Sequence, residues 1–291
     1  MLFVDKHAVR PPALLSEKVR EQKSTRVLQG VSAVNDSQVL WDRLDGDTRR
    51  AVLIRLLQDQ GFLCAYCERR IHVPDSASKG IPAHVEHYVP RHPSYQEYRH
   101  DDRLSWTDTG ELDASGAPIM RAVRADELSV DYRNLFAVCS NEQSNESVRE
   151  QGGNGTMLTC DKQRGNHPLH VDPRSRQSLL QLHHKTNGCI SSDDADIQRE
   201  IGIDGQHPGM LNLNAAHLRA ARKKVVNTLL KNVMAGDSEA LRNKRCRQQI
   251  QHLLNQQHSR GVKDPFYETQ LYILLRKRPS MRREFGDVYP A

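Results

Sequence analysis

Apolar residues recur with a helical period just before the first cysteine pair. Val52, Leu53, Leu56 and Leu57 fall on one side of a stretch that Asp47 can cap and that runs through Gln60 to Gly61. The first sixty residues thus read as extended and then helical. Residues 81–90, ending in Tyr88-Val89-Pro90, predict a short strand closed by its proline. Residues 91–130 are polar, with turns at Asp108-Thr109-Gly110 and Ala114-Ser115-Gly116, and predict a surface excursion. Leu135-Phe136-Ala137-Val138 is a second short apolar run, and Gly152-Gly153-Asn154-Gly155 is loop material. A short helix can open at Cys160, with Asp161 near its start. Further on, Leu179 to Ile190, turning at Asn187-Gly188, predicts a β-hairpin. Three helices follow. Asn214 caps one with Leu218, Val225, Leu229 and Val233 on one side; Asp237 opens another carrying Leu241, Ile250, Leu253 and Leu254; Asp264-Pro265 starts the third. The pattern is α+β, with a central core over 61–172 between a segment at 1–60 and a hairpin-and-helix region at 173–291.

Composition narrows the partners. No run approaches the ~20 apolar residues of a membrane helix, and the start, Met1-Leu2-Phe3-Val4-Asp5-Lys6, lacks a secretory signal plan. The expectation is a soluble, cytoplasmic protein without membrane contact. The excess of 42 Lys and Arg over 36 Asp and Glu gives a net charge of +6, which suits a polyanionic partner such as nucleic acid. Histidines are abundant, at 14, and imidazole is both a metal ligand and a base near neutral pH. Among six cysteines, Cys64-Ala65-Tyr66-Cys67 has the spacing of a metal knuckle or a redox pair. No thioredoxin-like βαβ pattern surrounds it, which disfavours the redox reading.

Cys64, Cys67, Cys139 and Cys160 bracket the core and can complete a four-thiolate zinc site, the alternative being ordinary packed thiols. Cys189 and Cys246 read as hydrophobic cysteines. Between the ligand candidates lies Glu86-His87. The imidazole can take a proton from water and the carboxylate can bind a hard cation, the two needs of phosphodiester hydrolysis. The bland reading is a satisfied strand histidine, and strand neighbours point to opposite faces. Glu86 and His87 therefore share a site only at a strand end or bend. Asn134 can hold a histidine ring or merely stabilise a turn. Asp161 is a cation ligand or a helix cap. Arg91, Lys162 and Arg164 are phosphate contacts or solvated charge.

Read in order, Cys64-Ala65-Tyr66-Cys67-Glu68, Val85-Glu86-His87-Tyr88-Val89-Pro90-Arg91, Tyr132-Arg133-Asn134-Leu135 and Cys160-Asp161-Lys162-Gln163-Arg164-Gly165 resemble an HNH nuclease. The similarity is to the PtuB-type branch of Septu antiphage systems and some retrons. Val171-Asp172-Pro173 and Leu211-Asn212-Leu213-Asn214 extend it, so that it spans roughly 61–235. The resemblance implies a ββα-metal core around one divalent cation, usually Mg²⁺ with Mn²⁺ as a substitute, stapled by structural zinc. It implies His87 as general base, Asn134 as the residue orienting it, and Asp161 and Glu86 as cation ligands. It also implies a PtuA-like ATPase partner, for which the C-terminal helices and Pro11-Pro12-Ala13-Leu14-Leu15 are candidate docking surfaces. The common layout has a cysteine pair after the asparagine, whereas here Glu142 occupies the fourth-cysteine position and Gln143 the third catalytic one. Residues 140–159 then read as an insertion, with Cys160-Asp161 resuming the pattern; without one, Gln143 or Asn145 takes the third catalytic position. Aspartate at that position is a second departure, since asparagine or histidine is frequent there.

The expectation is a metal-dependent endonuclease acting on nucleic acid, DNA or RNA, as an effector of antiviral defence. The alternative is a zinc-dependent nucleic-acid-binding module without catalysis.

Overall fold

The computed structural model describes residues 1–6, 9–30, 38–74, 81–140, 158–204, 206–235, 238–258 and 261–286. Gln143, Asn145, Glu142, Asp237 and the glycine-rich run at 152–155 lie outside them. The architecture is mixed α and β, as the pattern of positions predicts. Helix α1, Ala13–Leu28, is followed by a 3-10 turn at Leu40–Arg43 and by α2, Gly46–Asp59. Leu15 of α1 is buried in the core, while Pro11 and Ala13 beside it are exposed.

Helix α2 carries Val52, Leu53, Leu56 and Leu57 inward as predicted, but its cap is Asp45 rather than Asp47. Asp45 is extended and accepts Thr48 N at 2.7 Å, while Asp47 falls in the first turn, where a carboxylate still favours the helix dipole. Gln60 ends the helix with its side chain buried. Its amide donates to Leu63 O and Ala137 O and accepts Ala137 N, each at 2.8 Å. A side chain here completes the outer edge of a strand.

That strand belongs to the central sheet, whose order is β1, β2, β5, with β1 Ile71–His72, β2 Ile81–His87 and β5 Leu135–Cys139. β1 runs parallel to β2, and β5 antiparallel to it with Val85 opposite Ala137 and His87 opposite Leu135. β2 stops at His87, short of the predicted Pro90: Tyr88 N makes a last backbone bond to Asn134 O, and Val89 N then turns to the Asn134 side chain, Oδ1, instead of continuing the ladder. The polar stretch 91–130 contains more order than a surface excursion: β3, Trp106–Leu112, pairs with β4, Pro118–Ala122. Asp113 accepts backbone N–H bonds from Ser115 and Ala117, closing the predicted Ala114-Ser115-Gly116 turn, whereas Asp108-Thr109-Gly110 sits inside β3 at a register shift.

The short helix α3, Cys160–Arg164, leads toward the C-terminal region. The second hairpin is smaller than predicted, β6 His183–His184 with β7 Ile190–Ser191, preceded by a helical turn at Arg176–Leu179. Gly188 turns it with φ +87, and a Cβ there would lie 2.1 Å from Arg219 O. After α4, Ala195–Ile201, comes α5, Ala216–Met234. Asn214 does not cap α5; it accepts Ile190 N and donates to Ile190 O and Gly202 O, a tertiary use that outcompetes capping. The buried stripe of α5 runs through Leu218, Val226, Leu229 and Val233, with Val226 replacing the predicted Val225. Helix α6, Glu239–His258, buries Ile250, Leu253 and Leu254 but leaves Leu241 39% exposed. Helix α7, Tyr267–Lys277, begins two residues after Pro265, behind a left-handed Phe266 that separates it from Asp264. Helix α8, Pro279–Phe285, follows.

One apolar cluster joins Met1, Leu2, Trp41, Leu56, Cys64, Phe136, Val171, Leu213, Ile250 and Leu271, so the segments 1–60, 61–172 and 173–291 share a core. Among the described residues no helix is long and apolar enough to cross a membrane.

Candidate metal centre and catalytic cleft

The knuckle Cys64-Ala65-Tyr66-Cys67 closes through Glu68 N to Cys64 O at 3.0 Å, with Glu68 left-handed at φ +62. Cys139 ends β5, and Cys160 opens α3 with φ +58 while its N–H bonds Leu211 O at 2.8 Å. Leu211 and Asn212, whose amide donates to Leu158 O, therefore fix the backbone that delivers the fourth thiol. The four Sγ atoms lie within 4.8 Å of one another, all fully covered by protein. Cys64 to Cys160 is 3.9 Å, Cys67 to Cys139 is 3.9 Å and Cys139 to Cys160 is 3.6 Å. Tetrahedral zinc with Zn–S of about 2.3 Å needs sulfur pairs roughly 3.8 Å apart. Geometry and donor set both fit a metal ion such as zinc.

The charge balance agrees. Burial pushes the Cys64 and Cys160 thiols well up. Cys67 is equally buried but is held down by hydrogen bonds from the other three thiols and by Arg69. Gathering negative charge on sulfur in this buried pocket is costly without a compensating cation. Arg69 donates to Cys67 Sγ at 3.4 Å and Cys139 Sγ at 3.5 Å, compensating part of that charge. Cys189 and Cys246 are outside the group.

Beside this centre lies a cleft of about 400 Å³ whose lining includes Trp41, His84, Glu86, His87, Arg91, Asp161 and Lys162. It contains five of the residues that the sequence singles out. Because β2 ends at His87, Glu86 and His87 reach the same cleft despite the alternation of strand side chains.

His87 Nε2 lies 2.9 Å from Ser129 O. A carbonyl only accepts, so Nε2 carries the proton, and among the described residues no hydrogen bond reaches Nδ1. The ring meets the Trp41 indole edge-on at 5.0 Å. Burial brings the His87 imidazole down to about 3, so it is neutral at cellular pH. Among the described residues Asn134 makes no hydrogen bond to this ring. Its amide accepts Val89 N at 2.8 Å and donates to Val89 O at 2.9 Å and Leu128 O at 3.0 Å. It fixes the two loops on either side of the histidine, including the one that carries Ser129.

Asp161 is in the first turn of α3, so the cysteine beside it sets its position. It is not a cap: Oδ2 lies 2.5 Å from His84 Nε2, and Oδ1 is buried without a partner among the described residues. Glu86 Oε1 takes Arg164 Nη1 at 2.7 Å and Tyr66 OH at 3.5 Å. Burial pushes the Glu86 carboxyl up to about 7, against the pull of Arg164 and with that of Asp161.

Arg164 is placed differently from the phosphate contact expected of it. It is 0% exposed and does not line the cleft. Its N–H groups go to His167 O, Glu86 Oε1, Tyr66 OH and Tyr88 O, with Tyr98 OH at 3.4 Å. Arg91 lines the cleft in an ion pair with Asp42, which His92 also approaches at 3.2 Å; Lys162 is exposed at the rim. His84, Trp41, Ser129 and Arg69 were not singled out by the sequence. His84 alone left a signal there, two residues before Glu86 and hence on the same strand face.

No family model matches the chain, and no curated protein matches it at a significant level.

Proposed function

We propose that this chain is a metal-dependent endonuclease of the HNH kind, hydrolysing phosphodiester bonds in nucleic acid. The observation that carries the reading is one cleft lined by a neutral imidazole and by a carboxylate where, among the described residues, Nδ1 of the first is unbonded and the buried Oδ1 of the second lacks a partner. The order along the chain supports it. His87 closes one strand, Asn134 immediately precedes its antiparallel partner, and Asp161 sits in the first turn of the following helix, the ββα arrangement that the resemblance implies. The four-cysteine centre, read as structural zinc, locks that helix to the sheet.

In this mechanism His87 Nδ1 accepts a proton from the attacking water, a weaker base than a free imidazole because burial disfavours its charged form, while the Ser129 carbonyl holds the ring in the tautomer that leaves Nδ1 open. Asp161 Oδ1 and Glu86 are the oxygens that would hold Mg²⁺ or Mn²⁺, whose charge when bound stabilises the scissile phosphate and the departing 3′-oxygen. Lys162 and Arg91 meet the substrate backbone at the rim, Arg91 by exchanging Asp42 for phosphate. Arg164 braces Glu86 from behind. On the PtuB-like reading, a PtuA-like ATPase partner would restrain this activity in an antiviral system, and DNA is the first substrate to try.

The test is cleavage of labelled DNA and RNA by wild type and His87→Ala, with and without Mg²⁺ or Mn²⁺, zinc content measured on both. The expected result is metal-dependent cleavage that falls about 10²- to 10⁴-fold in the variant with zinc retained. The buried four-cysteine centre is also what a non-catalytic zinc module would need. Nucleic-acid binding unaffected by His87→Ala, with no cleavage even beside the ATPase, would favour that second reading.

A further inference from the structure

We propose that His84 is a positioning residue that sets the Asp161 carboxylate for the catalytic cation; the inference rests on the endonuclease reading. His84 and Glu86 are two apart on β2 and line the same cleft. His84 Nε2 meets Asp161 Oδ2 at 2.5 Å, and since a carboxylate only accepts, Nε2 carries the hydrogen. One oxygen of Asp161 is thereby consumed by protein and the other, Oδ1, is buried with no donor among the described residues. An unsatisfied buried carboxylate oxygen is costly, and a bound cation would relieve that cost.

Both partners are anchored next to the zinc centre. His84 stands opposite Val138, the residue before Cys139, and Asp161 directly follows Cys160. Two backbones held by the same metal centre thus fix the distance between imidazole and carboxylate. The hydrogen bond then selects one rotation of the carboxylate and keeps Oδ1 from swinging onto the imidazole itself. The usual arrangement behind a metal is a carboxylate orienting a ligand histidine; here the order is reversed, with the same consequence for affinity.

The test compares zinc-loaded wild type, His84→Ala and His84→Gln. The glutamine amide can donate to Asp161 Oδ2 in place of Nε2. Mn²⁺ binding is measured by calorimetry alongside metal-dependent cleavage, with zinc content and Tm confirming that all three are folded. The expected result is an Mn²⁺ Kd raised about 10- to 100-fold in His84→Ala and restored to near wild type in His84→Gln. Equal Mn²⁺ affinity in wild type and His84→Ala would overturn the inference while leaving the endonuclease reading intact. So would a His84→Gln variant as weak as His84→Ala, which would make the imidazole a direct ligand. Mn²⁺ binding that depends on His84 without cleavage under any condition would sink the endonuclease reading and leave the positioning role in place. Wild type binding no Mn²⁺ would overturn both.

Discussion

Replacing Arg164 with methionine would leave the Glu86 carboxyl and the carbonyls of Tyr88 and His167 facing a buried apolar side chain. Such a loss of one partner from a buried pair costs about 3–5 kcal/mol, readable in urea unfolding. Arg164→Lys should recover little, because a single ammonium cannot reach partners spread around a planar fork. A pH effect belongs to the same scale. Burial, with the N-terminal ammonium, Arg222 and His183 nearby, holds the His184 imidazole well below its ordinary value of 6.5, and Thr269 Oγ1 bonds it at 2.9 Å. The folded chain therefore keeps His184 neutral where the unfolded chain protonates it. Stability is full above about 6.5 and falls as the pH drops below that value, by up to about 1.4 kcal/mol per pH unit for such a histidine. Denaturant midpoints at pH 7 and 5.5 should show this, and His184→Leu should flatten the slope. The four cysteines were legible because a CxxC pair with two later partners favours a metal site. His87 and Asp161 each kept a bland reading in the sequence, and the structure adds only that both line one cleft. Ser129 was invisible because its carbonyl does the work, and any residue has one. Arg164 was misplaced because burial cannot be read from a charge.

At the scale of elements, Gln60 shows how a helix end can serve a sheet. β5 is paired with β2 along one edge only, and near its centre the other edge is met by the Gln60 amide. Gln60→Leu strips Ala137 N–H of its partner at a cost of about 1–3 kcal/mol. The local signature is faster hydrogen exchange at Ala137, and an unchanged exchange rate would argue against that role for the amide. Helices and short strands were readable from the period of their apolar residues, since burial imposes that period. Their ends were less so: Asp47, Asn214 and Asp264 all look like caps in isolation. Asp45 took the first cap from within the neighbouring turn. Asn214 is drawn to Ile190 and Gly202, partners that the sequence does not place beside it, and a left-handed Phe266 separates Asp264 from α7.

For the whole molecule, the shared core makes a sharp prediction. Glu68, one residue past the knuckle, accepts the Met1 ammonium at 2.8 Å and Glu268 N at 2.7 Å, and its carbonyl accepts Phe266 N at 3.1 Å. A fragment of residues 1–172 lacks the last two of these and the packing of Leu211, Leu213 and Leu271, and it should neither retain zinc nor give a cooperative melt. Conversely, Cys139→Ser in the full chain should lose the metal and lower Tm by roughly 8–16 °C, taking a loss of about 4 kcal/mol at about 2–4 °C for each. Metal analysis beside calorimetry tests both. The segments were legible as compositional zones, but their common core was not, because long-range packing leaves no local period. The N-terminal 3-10 turn carries one more consequence. Trp41 is 6% exposed, lines the cleft and abuts His87, while Trp106 stands in the distant-in-sequence β3 hairpin. In a Trp106→Phe background the protein thus contains its own optical reporter. Indole emission from Trp41 should shift when an oligonucleotide enters, allowing occupancy to be followed in real time without a label.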